Sequence, residues 1–374
     1  MPPNYINLLS QLIARPDFHQ NNFPEISHLQ PTATADLCEF LGEEVIYQTI
    51  ATATTPKLYK IPQDLPHSII SALHSQGIQH LYSHQIKTLK AVRQGKDVIL
   101  STATASGKSL SAYLPILEGI LQHQFTALSI YGLKALTADQ SQKLADLLEL
   151  IPEPARPRLA LLTGDTPPKT REQLLATNPS IINATPELIH YALKGVHWSQ
   201  PWQHFLSRLR YIVLDEAHTF NGVYGANMAS LIRRLKLAVD ERGGCSQKLQ
   251  FLMLSATVGN PVQLAKLLSG RSRKRNINKS ERLVWINSSG AAVPERQLIV
   301  TKPSHDANSD VARIIMFLLQ QGQSGICFGN GRQAIKNLWA TFKQEAVTQT
   351  NSGIESQVAI FLRLFNKRAS QANY

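Results

Sequence analysis

The strongest constraint on the fold is a rhythm: between Ile61 and Trp285, short β-rich runs alternate with stretches of helical periodicity. The runs are Asp97 to Ser101, Ala127 to Tyr131, Arg158 to Thr163, Ser180 to Asn183, Tyr211 to Leu214 and Leu249 to Leu254. They are almost continuously apolar, as strands must be when helices cover both faces of a parallel sheet. Repetition of this kind folds into a doubly wound α/β layer, whose sites lie beyond the carboxyl ends of the strands.

The flanks read differently. Residues 1–60 are mixed: a helix-like stretch over Ile6 to Ala14, a Pro/Asn/His-rich connector, then Ala35 to Leu41 and a strand at Val45 to Ile50. After the α/β region, Arg271-Ser272-Arg273-Lys274-Arg275 with Lys279 and Arg282 reads as a solvated interdomain linker, or else as a phosphate contact. Next come Leu283 to Ile286, Gln297 to Val300, a helix near Val311 to Gln321, a strand at Gly325 to Phe328 and a helix from about Gln333, a pattern that looks like the opening of a second α/β domain. The domains expected are thus an extension over 1–60, an α/β domain over 61–287 and part of a second over 288–374, ending in a stretch rich in Gln, Asn and Ser.

Composition narrows the partners. Of 374 residues 43% are apolar and 17% charged, which argues for a packed core rather than disorder. Lys plus Arg number 38 against 26 for Asp plus Glu, a net charge of +12 that favours a polyanion, nucleic acid first. No apolar run approaches the ~20 residues of a membrane helix. Met1-Pro2-Pro3-Asn4 lacks the basic and apolar regions of a secretory signal. Cys38, Cys245 and Cys327 are isolated, which excludes a disulfide framework and a CxxC zinc site and fits a reducing cytoplasm. Without export, Asn183-Ala184-Thr185 is a glycosylation sequon by coincidence.

The chemistry concentrates at two strand ends. Thr102-Ala103-Thr104-Ala105-Ser106-Gly107-Lys108-Ser109 follows the strand ending at Ser101 and opens a helix running to about Gln122, the setting of a phosphate loop. Backbone N–H groups there can wrap phosphates, Lys108 can neutralise the outer ones, and the Ser109 hydroxyl can ligate magnesium. The first Gly of the usual pattern is Thr102 here, and Ala105 stands where a second Gly is common. Asp215-Glu216-Ala217-His218 follows the apolar strand at Tyr211. Asp215 would hold magnesium through its water shell, and Glu216 would orient and deprotonate an attacking water.

Together these motifs resemble the DEAD/DEAH-box helicases of superfamily 2, over residues 61–287. The resemblance implies a RecA-like doubly wound parallel sheet as the first helicase lobe, followed by an incomplete second RecA-like lobe. It also implies ATP with magnesium, held by Gln85, Thr104, Ala105, Ser106, Gly107, Lys108 and Ser109, with Lys108, Asp215 and Glu216 catalytic. Leu81-Tyr82-Ser83-His84-Gln85 resembles the Q motif, in which Gln85 would read adenine. Lys134-Ala135-Leu136 with Asp139-Gln140 resembles motif Ia, and Ala184-Thr185-Pro186-Glu187-Leu188 motif Ib; Lys134, Gly164, Thr185 and Pro186 would meet the nucleic-acid strand. Ser255-Ala256-Thr257 is similar to motif III, which with His218 would couple hydrolysis to strand movement. Gly164-Asp165-Thr166-Pro167, Arg233-Arg234-Leu235 and the Ala105 loop resemble the branch of bacterial helicases akin to mitomycin repair factor A, implying DNA as the strand. Gly132-Leu133 departs from the Pro-Thr usual before Lys134. Gly325 to Arg332 is similar to motif IV, with an altered Ser-Arg, but no counterpart of motif V or of the arginine-bearing motif VI follows. The expectation is a truncated or split helicase, with a separate polypeptide as the source of the missing motifs.

Competing readings stay open here. Gly329-Asn330-Gly331-Arg332-Gln333-Ala334 fits a dinucleotide-binding turn, yet no acidic residue ends a second strand about 20 positions on. The same motifs also suit a non-catalytic nucleic-acid-binding remnant, or a phosphate-loop ATPase acting on something other than nucleic acid. His84 and His218 read as packing or hydrogen-bonding residues rather than zinc ligands. Trp198 and Trp202 read as core, and Arg233-Arg234 divides between phosphate contact and a solvated helix face.

Overall fold

The computed structural model describes residues 37–102, 106–132, 134–194, 200–256, 259–271, 282–302, 306–320, 327–329 and 331–350. The chain divides into two compact units, one made of residues 55–292 and the other of residues 1–54 with 293–374.

The first unit is built on seven parallel strands: β4 (Asp97–Ser101), β5 (Thr126–Tyr131), β6 (Leu159–Leu162), β7 (Ile181–Ala184), β8 (Leu209–Asp215), β9 (Gln250–Ser255) and β10 (Leu283–Ile286). They lie in the order β10-β4-β9-β8-β5-β7-β6, and each expected run is a strand within about two residues. Strand side chains alternate faces, and the two core clusters follow that alternation. Val98, Leu100, Ala127, Val213 and Leu252 pack under α1 (His67–Ser75), α2 (Ser83–Arg93), α3 (Lys108–His123) and α4 (Lys134–Glu149). Ile99, Leu128, Ile182, Ile212 and Phe251 pack under the helices of the opposite face: α5 (Pro168–Ala176), α6 (Pro186–Lys194), α7 (Gln200–Ser207), α8 (Gly222–Glu241) and α9 (Pro261–Ser269). A short antiparallel ladder of β2 (Leu58–Lys60) and β3 (His80–Tyr82) feeds α2.

Two expectations are corrected. Leu283–Ile286 does not open a second domain: it is the edge strand of this sheet, parallel to β4 with Trp285 opposite Ile99. Nor are Arg271 and Arg282 a solvated linker or a phosphate contact. Asp97 is 1% exposed, its Oδ2 lies 2.5 Å from Arg271 Nε and 3.9 Å from Arg282 Nε, and its Oδ1 accepts the Phe251 N–H at 2.9 Å. Three carboxylate contacts therefore fasten the start of β4 to β9 and to the approach of β10. Residues 272–281, including Arg273, Lys274, Arg275 and Lys279, lie outside the described residues.

In the second unit β1 (Val45–Ala51) pairs antiparallel with β11 (Arg296–Thr301), a partnership the sequence did not suggest. Helices α10 (Ala307–Gln320) and α11 (Arg332–Thr350) join around Ala312, Met316 and Phe342. Arg313 pairs with Glu44 at 2.5 Å, and Phe40 stacks on Phe317 at 4.4 Å. Of the strand expected at Gly325 to Phe328, residues 325 and 326 lie outside the described residues, and 327–329 have no regular structure. The helix expected over Ile6 to Ala14 is also outside them. No helix among the described residues is long and apolar enough to cross a membrane.

Candidate active site

Parallel strands deliver Lys108, Asp215, Glu216 and Ser255 to one edge of the sheet. Strand β4 ends at Ser101, and Gly107 then takes φ +80° as the residue before α3. Only glycine enters that left-handed region freely, and a Cβ here would stand 2.8 Å from Gln85 Nε2. Among the described residues no side chain caps α3, which leaves its first-turn N–H groups without a cap from them. Thr102 and Ser106 tie the loop across its base through their hydroxyls at 2.8 Å. Thr104 and Ala105 lie outside the described residues.

Lys108 is 9% exposed, and its ammonium donates to the carbonyls of Thr102 at 2.9 Å and Ser255 at 3.2 Å. Burial lowers its pKa, against the pull of the Glu216 and Asp215 carboxylates. Asp215 ends β8 and is 7% exposed; burial is the first cause of its rise to about 6, and the Glu216 N–H, donating at 2.9 Å, opposes that rise. Glu216 sits at φ +47°, a left-handed conformation that costs an ordinary residue about 1–2 kcal/mol. Its Oε2 lies 3.3 Å from His218 Nδ1. His218 in turn reaches Ser255 Oγ at 3.5 Å, so Ser255 touches His218 with its hydroxyl and Lys108 with its carbonyl. Thr257 lies outside the described residues.

Gln85 closes the near wall. Its Oε1 accepts the Tyr82 N–H at 2.8 Å, capping α2, and its Nε2 donates to the Gly107 carbonyl at 3.3 Å. Ser109 donates to Gln140 Oε1 at 2.8 Å. Gln85, Gly107, Lys108, Ser109, Asp215 and Glu216 line one cleft of about 830 Å³, together with His80 and Tyr82 of β3 and with Ile78 and Gln79 from the turn between α1 and β3. Sequence reading missed that turn; its only signal was Gly77, which takes φ +77°.

Gly164, Thr185 and Pro186 follow strand ends on the same edge. Gly164 is exposed just past β6, where its carbonyl accepts from Arg171 at 3.2 Å. Thr185 and Pro186 join β7 to α6; Thr185 is 2% exposed, and its hydroxyl has no hydrogen-bond partner among the described residues. Lys134 opens α4. Trp202 packs edge-on against Phe205 at 6.0 Å, and Arg234 meets His190 Nδ1 at 2.6 Å. His84 is buried with Nδ1 accepting the Gly290 N–H at 3.0 Å. No metal-binding cluster of His, Cys, Asp and Glu occurs among the described residues. Trp198 is outside them.

The family assignment is decided by a direct match: residues 82–265 fit the DEAD/DEAH box helicase family. The chain carries a DEAD/DEAH box helicase domain. This helicase domain is similar to the ATP-dependent helicase hrq1 of Schizosaccharomyces pombe, with 27% identity over 311 residues, 80% of this chain and 28% of the relative. It is similar to the ATP-dependent helicase YprA of Bacillus subtilis, with 33% identity over 216 residues, 58% of this chain and 28% of the relative. The structure of the DUF1998 helicase MrfA bound to DNA and AMPPNP superposes with a TM-score of 0.74 at 25% identity, over 85% of this chain and 43% of that one. The chain therefore spans just over a quarter of the length of these two curated relatives. The domain's fold is RecA-like, an α/β layer on a seven-stranded parallel sheet.

Proposed function

We propose that the cleft binds ATP with magnesium and that the chain belongs to an ATP-dependent DNA helicase, hydrolysis being coupled to its grip on the strand. One observation carries the reading: Lys108 is buried with its ammonium resting on two carbonyls, facing a carboxyl group at Asp215 that burial has driven to about 6. Each charge is poorly compensated within the protein, and a magnesium-bound triphosphate supplies both missing partners.

The residues fit the ligand on the donor set and on shape. Gly107 keeps the loop clear of a Cβ that would strike Gln85, and the start of α3, uncapped by any described side chain, offers N–H groups to phosphate oxygens. Ser109 and Asp215 are the hard oxygen donors that would hold magnesium, which when bound screens phosphate charge. Lys108 would neutralise the outer phosphate, and Glu216 would take the proton of the attacking water. Gln85 and the walls at Ile78 to Tyr82 would receive the base, while Ser255 and His218 would pass the change at the phosphates onward. Lys134, Gly164, Thr185 and Pro186, on the β5-β7-β6 half of the same edge, would meet the DNA backbone.

A motor of this class needs an arginine at the developing γ-phosphate charge, worth ~10³-fold or more in rate. No counterpart of motif VI occurs among the 374 residues, so that arginine would come from outside them. We place residues 288–374 as the beginning of a second RecA-like lobe.

The test measures ATP turnover and DNA affinity in parallel. Nucleotide binding that is lost in Lys108→Ala, with single-stranded DNA affinity that changes between ATP-analogue and ADP states, supports the reading. DNA affinity that is the same with either nucleotide or none would identify a nucleic-acid-binding remnant instead. DNA binding that ignores ionic strength would speak against phosphate contacts altogether.

A further inference from the structure

The face of the sheet beneath α3 and α4 is apolar at one end and polar at the other. At the amino ends of β5, β7 and β8, Ala127, Ile181 and Tyr211 pack in the core cluster. Two and four residues on, the same face carries Ser129 and Tyr131 on β5 and Asn183 on β7, and reaches Asp215 on β8. Ser129, Tyr131 and Asn183 are each no more than 1% exposed. Tyr113 of α3 and Ser141 of α4, both 4% exposed, close over them.

These side chains form one bonded series. The Tyr131 and Tyr113 hydroxyls are 2.6 Å apart, and Tyr113 also meets Ser129 Oγ at 3.1 Å and donates to Asn183 Oδ1 at 3.4 Å. Asn183 Nδ2 donates to Ser141 Oγ at 2.9 Å, and Ser141 donates to the Thr137 carbonyl at 2.6 Å. Each group can pass its donor forward, so the series runs head to tail, an arrangement in which hydrogen bonds strengthen one another. Burial raises the pKa of both tyrosines, and the Asp215 charge adds to it, so both remain hydroxyl donors.

Its ends are what give it a role. Tyr131 is the register neighbour of Asp215, and Ser129 that of Asn183. Asn183 lies two residues before Thr185, and Ser141 lies on α4 next to Gln140, which holds the phosphate-loop hydroxyl of Ser109. A polar filling is a poor way to hold a core that aliphatic side chains could fill, because every member must stay bonded. What it offers is a fixed geometry between elements whose movement must be matched.

We infer that the series Tyr131–Tyr113–Asn183–Ser141 is a positioning device that locks α4 and the end of β7 to the Asp215 strand, so that nucleotide state and strand affinity change together. The inference rests on the nucleotide and DNA reading of the edge, and lies wholly within residues 55–292. None of the four is a catalytic residue: they act through Asp215, Thr185 and the start of α4.

The experiment measures single-stranded DNA affinity of the full chain with AMPPNP and with ADP, for wild type, Asn183→Leu, Ser141→Ala, Tyr131→Phe and the Tyr131→Phe/Ser141→Ala double variant. Thermal melting and AMPPNP affinity serve as controls on folding and on the cleft. The wild-type ratio of the two DNA affinities is expected to be about five-fold or more, and to collapse towards one in Asn183→Leu while AMPPNP affinity stays within about two-fold. Tyr131 and Ser141 belong to one bonded series, so the double variant should lower the ratio by less than the two single variants combined. Ser141→Ala is the mild variant should Asn183→Leu fail to fold. Wild-type ratios in all the folded variants would overturn the device while leaving the cleft intact. A wild type that binds AMPPNP yet shows no ratio would also overturn it, and a wild type that binds no nucleotide would overturn the underlying reading as well.

Discussion

Replacing Asp215 by Asn should make the free protein more stable, although it removes the carboxylate that function requires. Asp215 is 7% exposed, and burial lifts its pKa from 3.8 to about 6. A carboxyl group that binds its proton more tightly folded than unfolded costs the folded state when it ionises. That cost is absent below pH 3.8, grows through the interval up to about 6, and is complete above it. At ~1.4 kcal/mol per pKa unit, a rise of about two units amounts to about 3 kcal/mol as an upper bound. Asn retains an oxygen to accept the Glu216 N–H, which Asp215 now accepts at 2.9 Å, and brings no charge to desolvate. Urea unfolding without nucleotide or divalent cation should therefore show Asp215→Asn more stable by about 1–3 kcal/mol at pH 7.5 and level with wild type near pH 4. Saturating magnesium and ATP should reverse the order, since a ligand at about 1,000 times its Kd adds ~4.1 kcal/mol to the protein that binds it. A variant less stable than wild type at pH 7.5, or a gain that does not vary with pH, would refute the reasoning.

Two further outcomes follow from single contacts. Gly107→Ala must place a Cβ at φ +80° and 2.8 Å from Gln85 Nε2. Left-handed strain of about 1–2 kcal/mol and a lost hydrogen bond of about 1 kcal/mol should weaken nucleotide binding ~30–150-fold, read by anisotropy of a fluorescent ATP analogue. Asp97→Ala strands Arg271 and Arg282 without their carboxylate and should cost about 3–5 kcal/mol in urea unfolding. Asp97→Asn, which still accepts the Phe251 N–H, should cost less.

The sheet is readable from sequence because its signal is local: a strand covered on both faces needs an apolar run, and the runs at Asp97, Ala127, Tyr211 and Leu249 are such runs. Leu283 to Ile286 is misplaced by sequence because a basic stretch before it looks like a wet linker, and nothing local says that Arg271 and Arg282 fold back onto Asp97, far earlier in the chain. The pairing of Val45–Ala51 with Arg296–Thr301 is hidden for the same reason. In the cleft, Lys108, Asp215 and Glu216 are legible because their chemistry demands fixed residue types beside a strand end. Gln140 holding Ser109, and the turn at Gly77 that completes the wall, are not, since both depend on how helices pack rather than on spacing. Asn183 shows the limit best: in sequence it is one polar residue at the end of an apolar run, and only the fold reveals Tyr113 and Ser141 on either side of it.

Calorimetric titration of the chain with a nonhydrolysable ATP analogue, with and without magnesium, tests the central claim most directly. The account predicts saturable one-site binding that weakens when magnesium is withheld, weakens again as the pH falls below about 6, where Asp215 takes up its proton, and disappears in Lys108→Ala. Binding that is indifferent to magnesium, or that survives Lys108→Ala unchanged, would contradict it.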